Sequence, residues 1–317
     1  MTTDSKKVII TGGGGFVGKY LSQYLVEQGF VVYGFDRHGS DIPNITTVII
    51  DILDKEKVDK YIQQISPTHL IHLAAQSSVK KSWDNPTQTI SINVEGTRNI
   101  LESITLHTPK CTVLIISSAE IYGTPKILPI TEQTPINPNN PYAESRKQQE
   151  ELCQNFITKN KLNLIIARSF PHTGAGQSDQ FVCSNFAKQI ALIEANQQPP
   201  ILTVGNLEAK RDFTDVRDVV RAYHLLITTP HTSGVFNVCS AKSIPISSIL
   251  STLQTFSTSK ITIKQDPDKM RPSDIPNMVG SNTKLQQATN WKPIIPINQT
   301  LQEILHYWRN EILKNQS

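Results

Sequence analysis

A run of glycines that follows a short apolar stretch near the N-terminus, Thr11-Gly-Gly-Gly-Gly-Phe-Val-Gly18, most narrowly limits what this chain can fold into. Glycine permits a tight turn and lets the backbone approach a pyrophosphate closely. A helix that starts there adds unpaired N–H groups and a positive dipole end. The spacing fits G-x-G-x-x-G at Gly13, Gly15 and Gly18, and G-x-x-G-x-x-G at Gly12, Gly15 and Gly18. It predicts a dinucleotide-binding turn between a strand and a helix.

An acidic residue at the end of the next apolar run supports this prediction. Asp36 follows Gly18 by 18 residues, where a carboxylate can accept both hydroxyls of an adenosine ribose. Arg37 comes next, and its guanidinium can pair with a 2′-phosphate, so NAD and NADP both stay open as coenzymes. Asp51 and Ile52 close the third apolar run, where a polar and an apolar residue can bracket the adenine.

The first half of the chain alternates short apolar runs with amphipathic segments. Strands are predicted at 8–10, 31–35, 48–50, 70–73, 113–116 and 164–167, and helices near 16–28, 55–64, 87–106 and 142–160. Nearly continuous hydrophobicity is typical of parallel strands that are covered on both faces. The alternation predicts an α/β fold built on a Rossmann, doubly wound parallel sheet.

The pattern changes after residue 170. Helical segments near 181–195, 216–227, 246–256 and 299–313 are joined by short strands and proline-rich connectors. We expect an NAD(P)-binding Rossmann domain at 1–170. Residues 171–317 should form mainly a smaller C-terminal α/β substrate-binding lobe, with some chain returning to the Rossmann sheet.

Composition argues against several classes of protein. A net charge of +4, from 31 basic and 27 acidic residues, gives no cationic footprint for nucleic acid. The cysteines Cys111, Cys153, Cys183 and Cys239 are scattered singly, which predicts buried thiols in a reducing compartment and no metal site. A short polar N-terminus followed by glycines argues against a signal peptide or membrane span. We expect a cytoplasmic protein.

Five motifs make the prediction more specific: Thr11 to Gly18, His72-Leu-Ala-Ala75, Asn93-Val-Glu-Gly-Thr97, Ser117-Ser-Ala-Glu-Ile-Tyr-Gly123 and Pro141-Tyr142-Ala143. They resemble the extended short-chain dehydrogenases of the NAD-dependent epimerase/dehydratase family, which act on nucleotide sugars. The resemblance implies NADP or NAD in the Rossmann cleft and a sugar nucleotide on the C-terminal lobe. The coenzyme residues that it implies are Gly12, Gly15, Phe16, Val17, Gly18, Asp36, Arg37, Asp51, Ile52, Leu73, Ala74, Ala75, Asn93, Tyr142 and Arg146.

The resemblance also implies a catalytic pair, Ser118 and Tyr142. Moving a hydride to or from a sugar carbon requires moving a proton at its oxygen. A phenol with an ordinary pKa of about 10 needs a nearby positive charge to serve near neutrality. The serine hydroxyl can hydrogen-bond the same oxygen as charge develops. Glu120 matches an acid that helps the dehydratase relatives to remove water.

One position departs from the Tyr-x-x-x-Lys pattern of that family. Arg146 lies four residues after Tyr142, and Lys147 comes one residue later. Four residues return nearly to the same face of a helix, so Arg146 is the better-placed cation, although it does not deprotonate. Three outcomes stay open: Arg146 takes the role of lysine, a local helix distortion brings in Lys147, or the enzyme is weakened.

The second half indicates the substrate. Phe170-Pro-His-Thr-Gly-Ala-Gly-Gln177, residues 204–218 and Arg271-Pro-Ser-Asp274 resemble the GDP-6-deoxy-D-mannose reductases, which make GDP-rhamnose. The implied substrate residues are His172, Asn206, Lys210, Arg211, Arg271 and Asp274, with the two arginines on the diphosphate. Pro171 stands where relatives have an asparagine, which removes one expected sugar contact.

These patterns leave three functions open. The first is NAD(P)H-dependent reduction of the 4-keto group of a GDP-4-dehydro-6-deoxy-sugar. The second is a nucleotide-sugar 4,6-dehydratase or epimerase. The third, motivated by Arg146 and Pro171, is a non-catalytic binder of NAD(P) or a sugar nucleotide. Surplus apolar positions on the helices near 87–106 and 142–160 predict a homodimer.

Overall fold

A computed structural model describes residues 6–39, 41–269 and 275–314. The first half contains β1 (Lys7–Thr11), α1 (Phe16–Glu27), β2 (Val31–Asp36), β3 (Thr46–Ile49), α2 (Lys55–Ile65), β4 (His69–His72), α3 (Val79–Asp84), α4 (Pro86–Ile90), α5 (Gly96–His107), β5 (Thr112–Ser118), α6 (Pro141–Asn160) and β6 (Leu164–Ser169). The second half contains β7 (His172–Thr173), α7 (Val182–Glu194), β8 (Ile201–Val204), β9 (Lys210–Asp212), β10 (Thr214–Asp215), α8 (Val216–Thr228), β11 (Gly234–Val238), β12 (Ser243–Pro245), α9 (Ile246–Thr255), β13 (Thr262–Gln265), β14 (Asn277–Met278), α10 (Thr283–Thr289) and α11 (Ile297–Lys314).

A seven-stranded parallel sheet forms the centre of the molecule. Its strand order is β11-β6-β5-β4-β1-β2-β3, and each neighbouring pair is parallel. The chain reverses its direction of travel across the sheet between β1 and β4, which are neighbours. The predicted doubly wound Rossmann fold is confirmed. In such sheets a ligand binds in the crevice beyond the carboxyl ends of the strands at this reversal.

The central strands have long apolar stretches because both faces of the sheet are covered. In β1, Val8 and Ile10 pack into one core and Ile9 packs into the other, and all three are fully buried. Alternate residues of a strand point to opposite faces, so a strand that is covered on both sides needs apolar residues at every position. Helices α1 and α8 cover the first face, and α2, α5 and α6 cover the second.

The second half of the chain divides between this sheet and a smaller lobe. Strand β11 adds to the sheet beside β6, and the fully buried Trp291 donates its Nε1–H to Asp218 O at 2.9 Å on the covering helix α8. Helices α7, α9 and α11 pack together in a separate apolar cluster with β8, which forms the smaller lobe. Across the part of the chain that the structure describes, no helix is both long and apolar enough to span a membrane.

Two local features differ from the predicted elements. The predicted helix near 87–106 is α4 and α5 joined by a turn of π-helix at Ser91–Glu95. Helix α3, absent from the prediction, precedes them, and its N-cap is Ser78, whose hydroxyl accepts the Lys81 N–H at 3.3 Å. Both features lie where the segment after β4 meets α6.

Candidate active site

The glycine turn lies at the carboxyl end of β1. Gly12 has a φ of +73°, and a Cβ on it would stand 3.0 Å from Ala74 N. A Cβ on Gly18 would collide with the carbonyl oxygen of Gly12. Gly15 is exposed and forms the N-cap of α1 without a side-chain cap. Gly12 and Gly18 thus allow close contact between backbone segments. Gly15 leaves the N-terminus of α1 uncovered, so that its free N–H groups can face an anion.

The Asp36 carboxylate lies beside this turn, at the end of β2. Its Oδ2 accepts the Gly14 N–H at 2.9 Å and its Oδ1 accepts the His38 N–H at 3.2 Å. These bonds hold the Asp36 carboxylate next to the glycine turn, where it could accept ribose hydroxyls, while Arg37 is exposed. A cavity of about 480 Å³ adjoins them, lined by Gly14, Lys19, Gly39, Asp41, Ile42 and Pro43.

The residues predicted to bracket the adenine differ in exposure. Asp51 is exposed and its Oδ1 accepts the Leu53 N–H at 2.9 Å, which shapes the turn after β3. Ile52 is buried, 7% exposed, and its side chain lies against Gly96. Phe16 and Val17, in the first turn of α1, are partly buried against the core.

The segment after β4, residues 73–76, forms the other wall of the crevice. Leu73, Ala74 and Ala75 are partly buried there. Asn93, in the π-helical turn, donates its two Nδ2 protons to Gln76 O and Ser145 Oγ, at 3.1 and 2.9 Å. Its Oδ1 accepts the Gln76 N–H at 2.9 Å. Asn93 therefore ties this wall to α6, and both of its donors are used within the protein.

Ser118 and Tyr142 lie at the carboxyl end of β5 and the start of α6. The Ser118 Oγ accepts the Glu120 N–H at 3.2 Å. Asn140 is the N-cap of α6, because its Oδ1 accepts the Ala143 N–H at 2.8 Å. Its Nδ2 donates to Glu120 Oε2 at 3.3 Å. Asn140 thus joins the turn that carries Ser118 and Glu120 to the helix that carries Tyr142.

Ser82 of α3 holds the backbone of Tyr142. Its Oγ accepts the Tyr142 N–H at 3.1 Å and donates to Val79 O at 2.7 Å, and Ser82 is fully buried. This contact satisfies one of the first N–H groups of α6, which have no intrahelical acceptor. Sequence reasoning missed both Ser82 and Asn140, although Asn-Pro before a helix is a recognisable cap signal.

Arg146 lies against Tyr142 inside the protein. Its Nε donates to Tyr142 Oη at 3.2 Å, and its guanidinium carbon is 5.2 Å from the centre of the Tyr142 ring. Its Nη1 donates to Ile116 O at 3.0 Å and to Gln149 Oε1 at 2.9 Å. Lys147 instead faces Glu151, 3.8 Å away, and is partly exposed. The cation beside the phenol is therefore arginine, without distortion of α6.

The predicted substrate residues lie on the second half of the chain. His172 in β7 donates its Nδ1–H to Phe170 O at 3.0 Å, and burial lowers the pKa of its imidazole. Asn206 accepts the Glu208 N–H through Oδ1, and Lys210 and Arg211 lie on β9. The Arg211 Nη1 donates to Ile275 O. Arg271 and Asp274 are outside the described residues.

A buried ion pair supports the site from behind. Arg168 on β6 donates Nη2–H to Glu150 Oε2 at 2.7 Å, and each side chain is 6% exposed. Glu150 Oε1 also accepts the Ser117 hydroxyl at 2.6 Å. Arg168 Nη1 donates to the Tyr122 hydroxyl at 2.9 Å. These bonds fix α6 to the strand end that carries Ser118.

The cysteines and the potential metal ligands were also considered in the sequence. All four cysteines are buried and unpaired, and burial raises the pKa of each thiol. Within the described ranges, no three His, Cys, Asp or Glu side chains are grouped so that they could hold a metal ion.

The chain is similar to known nucleotide-sugar enzymes over nearly its whole length. The sequence profile of GDP-mannose 4,6 dehydratase matches residues 9–304. The GDP-6-deoxy-D-mannose reductase of Pseudomonas aeruginosa is 33% identical, over 97% of this chain and 99% of the relative. The human GDP-mannose 4,6 dehydratase is 26% identical, over 94% of this chain and 90% of the relative. The structure of RMD from Pseudomonas aeruginosa complexed with NADPH superposes with a TM-score of 0.87 at 33% identity, covering 97% of this chain and all of that one.

Proposed function

This chain belongs to the GDP-mannose 4,6 dehydratase family, and we propose that within it the chain acts as a reductase. It uses NAD(P)H to reduce the 4-keto group of a GDP-4-dehydro-6-deoxy-sugar and so forms GDP-D-rhamnose. The observation that carries the proposal is the similarity to the Pseudomonas reductase, which is 33% identical over 97% of this chain. A cytoplasmic location goes with it, because the cysteine thiols are unpaired.

The geometry of the glycine turn supports coenzyme binding. A Cβ on Gly12 would crowd the Ala74 backbone, and Gly15 leaves the start of α1 open. Asp36 is held where it can accept ribose hydroxyls. When NAD(P)H is bound there, it supplies the hydride for C4 of the sugar. The protein supplies the binding groups, the orientation and the proton.

Tyr142 supplies the proton. Its hydroxyl donates to the ketone oxygen as hydride reaches the carbon, and the Ser118 hydroxyl hydrogen-bonds the same oxygen. Proton loss leaves a phenolate, whose negative charge faces the Arg146 Nε at 3.2 Å. A fixed cation at this distance stabilises that charge in a site with little water. Arg211, together with Arg271, holds the diphosphate of the substrate.

Coenzyme oxidation distinguishes the candidate functions. The purified protein is mixed with NADPH or NADH and GDP-4-dehydro-6-deoxy-D-mannose, and coenzyme absorbance and sugar product are both followed. A reductase oxidises one coenzyme for each sugar reduced. No oxidation of either coenzyme while the keto sugar is present contradicts the proposal and leaves a dehydratase, an epimerase or a binder as the alternatives.

A dehydratase activity is the second candidate, and Glu120 is the observation that favours it. Its carboxylate is hydrogen-bonded by Asn140 close to Ser118, where it could take a proton from the sugar ring. A dehydratase or epimerase recycles a bound NAD and needs no added reductant. Incubation with GDP-mannose alone, followed by analysis of the sugar, detects this activity.

We expect Gly15→Val to abolish coenzyme binding. Gly15 is exposed, and a Cβ on it would approach only Gly12 O, at 3.2 Å, so the fold needs a shift of only a few tenths of an ångström to accept a side chain there. Its methyl groups would occupy the space that a pyrophosphate needs. Nicotinamide fluorescence measures the affinity. Gln23→Val is the control, since Gln23 is exposed on the same helix away from the turn. Equal affinity of Gly15→Val and wild type contradicts this placement.

We also propose a homodimer formed through α5 and α6. Leu106 on α5 is 70% exposed and Trp83 on α3, next to α6, is 54% exposed. Large apolar groups at such positions favour burial against a second copy. Sedimentation equilibrium at micromolar concentration should give twice the chain mass of 35.4 kDa. A single-chain mass contradicts this arrangement.

A further inference from the structure

A continuous chain of buried hydrogen bonds runs from the glycine turn to Tyr142. Thr11 Oγ1 lies 2.7 Å from His72 Nδ1, and His72 Nε2 lies 3.0 Å from Thr97 Oγ1. Gln149 Nε2 donates to Thr97 Oγ1 at 2.8 Å. Gln149 Oε1 in turn accepts from Arg146 Nη1, and Arg146 Nε donates to Tyr142 Oη. Every member is at most 7% exposed.

The donors and acceptors of this chain can be assigned one by one. Thr97 donates its single hydroxyl proton to Asn93 O at 2.7 Å, because a carbonyl can only accept. Thr97 Oγ1 must therefore accept from both His72 and Gln149. Neutral His72 then carries its proton on Nε2, and its Nδ1 accepts from the Thr11 hydroxyl. Burial, and next the charge of Arg146, lower the pKa of His72 to about 3, which agrees with a neutral ring.

The assignment fixes the orientation of the Gln149 amide. Because its NH₂ group is committed to Thr97, its Oε1 must face Arg146. Gln149 is fully buried, so its side chain has no water with which to exchange these partners. Ile116 O accepts from the same Nη1. Two acceptors on one nitrogen hold the planar guanidinium in one orientation, with Nε directed at Tyr142.

Among the described residues, neutral groups alone surround this buried cation: Tyr142 Oη, Ile116 O and Gln149 Oε1 accept from it, and no carboxylate lies within ion-pair distance. Its charge is thus left available to the phenol. We propose that Gln149 is a positioning residue that orients the Arg146 guanidinium toward Tyr142, so that the charge of Arg146 faces the phenol oxygen. The relevance to turnover rests on the proposed reductase function; the orientation itself does not.

Other ionisable groups near Tyr142 and Arg146 are accounted for. His72 on β4 is neutral, and burial raises the pKa of Tyr223 on α8, which faces both residues. Glu120 is held by Asn140, and Arg168 and Glu150 pair with each other. Of the charged side chains that remain on α3, the π-helical turn and the start of α5, Lys80, Lys81, Asp84 and Glu95 are exposed to solvent, and the partly exposed Arg98 pairs with Glu95 at 2.9 Å.

Titration of the tyrosine tests the proposal without any substrate. The ultraviolet absorbance of phenolate is followed against pH in the wild type and in Gln149→Leu, each corrected with its Tyr142→Phe counterpart. We expect Gln149→Leu to move this ionisation upward by about one pH unit, because the cation is no longer held at the phenol. Gln149→Glu, of the same size, should move it further, since a carboxylate neutralises Arg146. The alkaline limb of the reductase pH profile should move in the same direction, with kcat lowered about tenfold and the coenzyme KM little changed.

Two controls separate orientation from general stability. Gln189 is also a buried glutamine, hydrogen-bonded to Thr203 and Asn185 in the smaller lobe, and Gln189→Leu should destabilise the fold without moving the titration. In an Arg146→Lys background, Gln149→Leu should have almost no effect on the titration, because an ammonium has no plane to orient. Unchanged ionisation in both Gln149 variants, or full additivity with Arg146→Lys, overturns the proposal. A shifted titration in a protein that reduces no keto sugar supports it and refutes the reductase function.

Discussion

Tyr142→Phe is expected to lower turnover by about 10²-fold or more while coenzyme affinity stays close to that of the wild type. Phenylalanine preserves the buried ring and the Ser82 bond, which involves only the backbone N–H. The substitution removes the proton donor and leaves the Arg146 Nε facing a ring edge. Single-turnover reduction of the keto sugar, with the coenzyme pre-bound, measures the chemical step separately from binding.

The control for this substitution is Tyr61→Phe, which makes the same chemical change on α2, against Phe35 and away from the crevice. It should leave turnover unchanged. If Tyr142→Phe keeps turnover within a few-fold of the wild type, the ketone oxygen receives its proton from another group, and Glu120 is then the first residue to examine.

Arg168→Met is expected to lower the free energy of unfolding by about 3–5 kcal/mol. Methionine fills much of the volume but leaves the Glu150 carboxylate buried without its cation, with the Ser117 hydroxyl as its remaining donor. The Tyr122 hydroxyl, which donates to Asn237 Oδ1, loses the Nη1 donor as well. Urea unfolding, followed by circular dichroism, gives the change in midpoint and slope.

Two further variants test the cause of this loss. Arg309→Met breaks a similar two-bond pair with Glu194 that is more exposed, with side-chain exposures of 27% and 10%, and should cost less. Adding Glu150→Met to Arg168→Met should recover part of the stability, because the unpaired charge is then gone. If the double variant is less stable than Arg168→Met, lost packing rather than the stranded carboxylate is the cause.

The central strands of the sheet were predictable because they follow one simple rule. A parallel strand covered on both faces must be largely apolar, and the inner residues of β1, β5 and β6 have this property. Strand β11 was harder to place, because a short strand 65 residues beyond the end of β6 pairs with it only after the lobe has been traversed. The spacing of residues along the sequence does not indicate which sheet a strand near the C-terminus will join.

The candidate site was partly predictable for a similar reason. The four-residue step from Tyr142 to Arg146 is a property of one helix, so the spacing alone places the two side chains together. Gln149 and Ser82 were missed because a polar residue on a short or mostly polar helix is expected to face solvent. Their burial depends on contacts with residues distant in sequence, such as Thr97, which is 52 positions from Gln149.

The return of the chain to the central sheet has a consequence for any attempt to separate the two parts. A fragment that ended at residue 170 would leave β6 as an edge strand, with a row of backbone groups open to pairing with other copies. It would also strip α8 and Trp291 from one face of the sheet and expose the apolar side chains Ile165 and Ala167 beneath them. Such a fragment would be prone to aggregation, so the first 170 residues cannot be handled as an independent module even though they carry every predicted coenzyme contact.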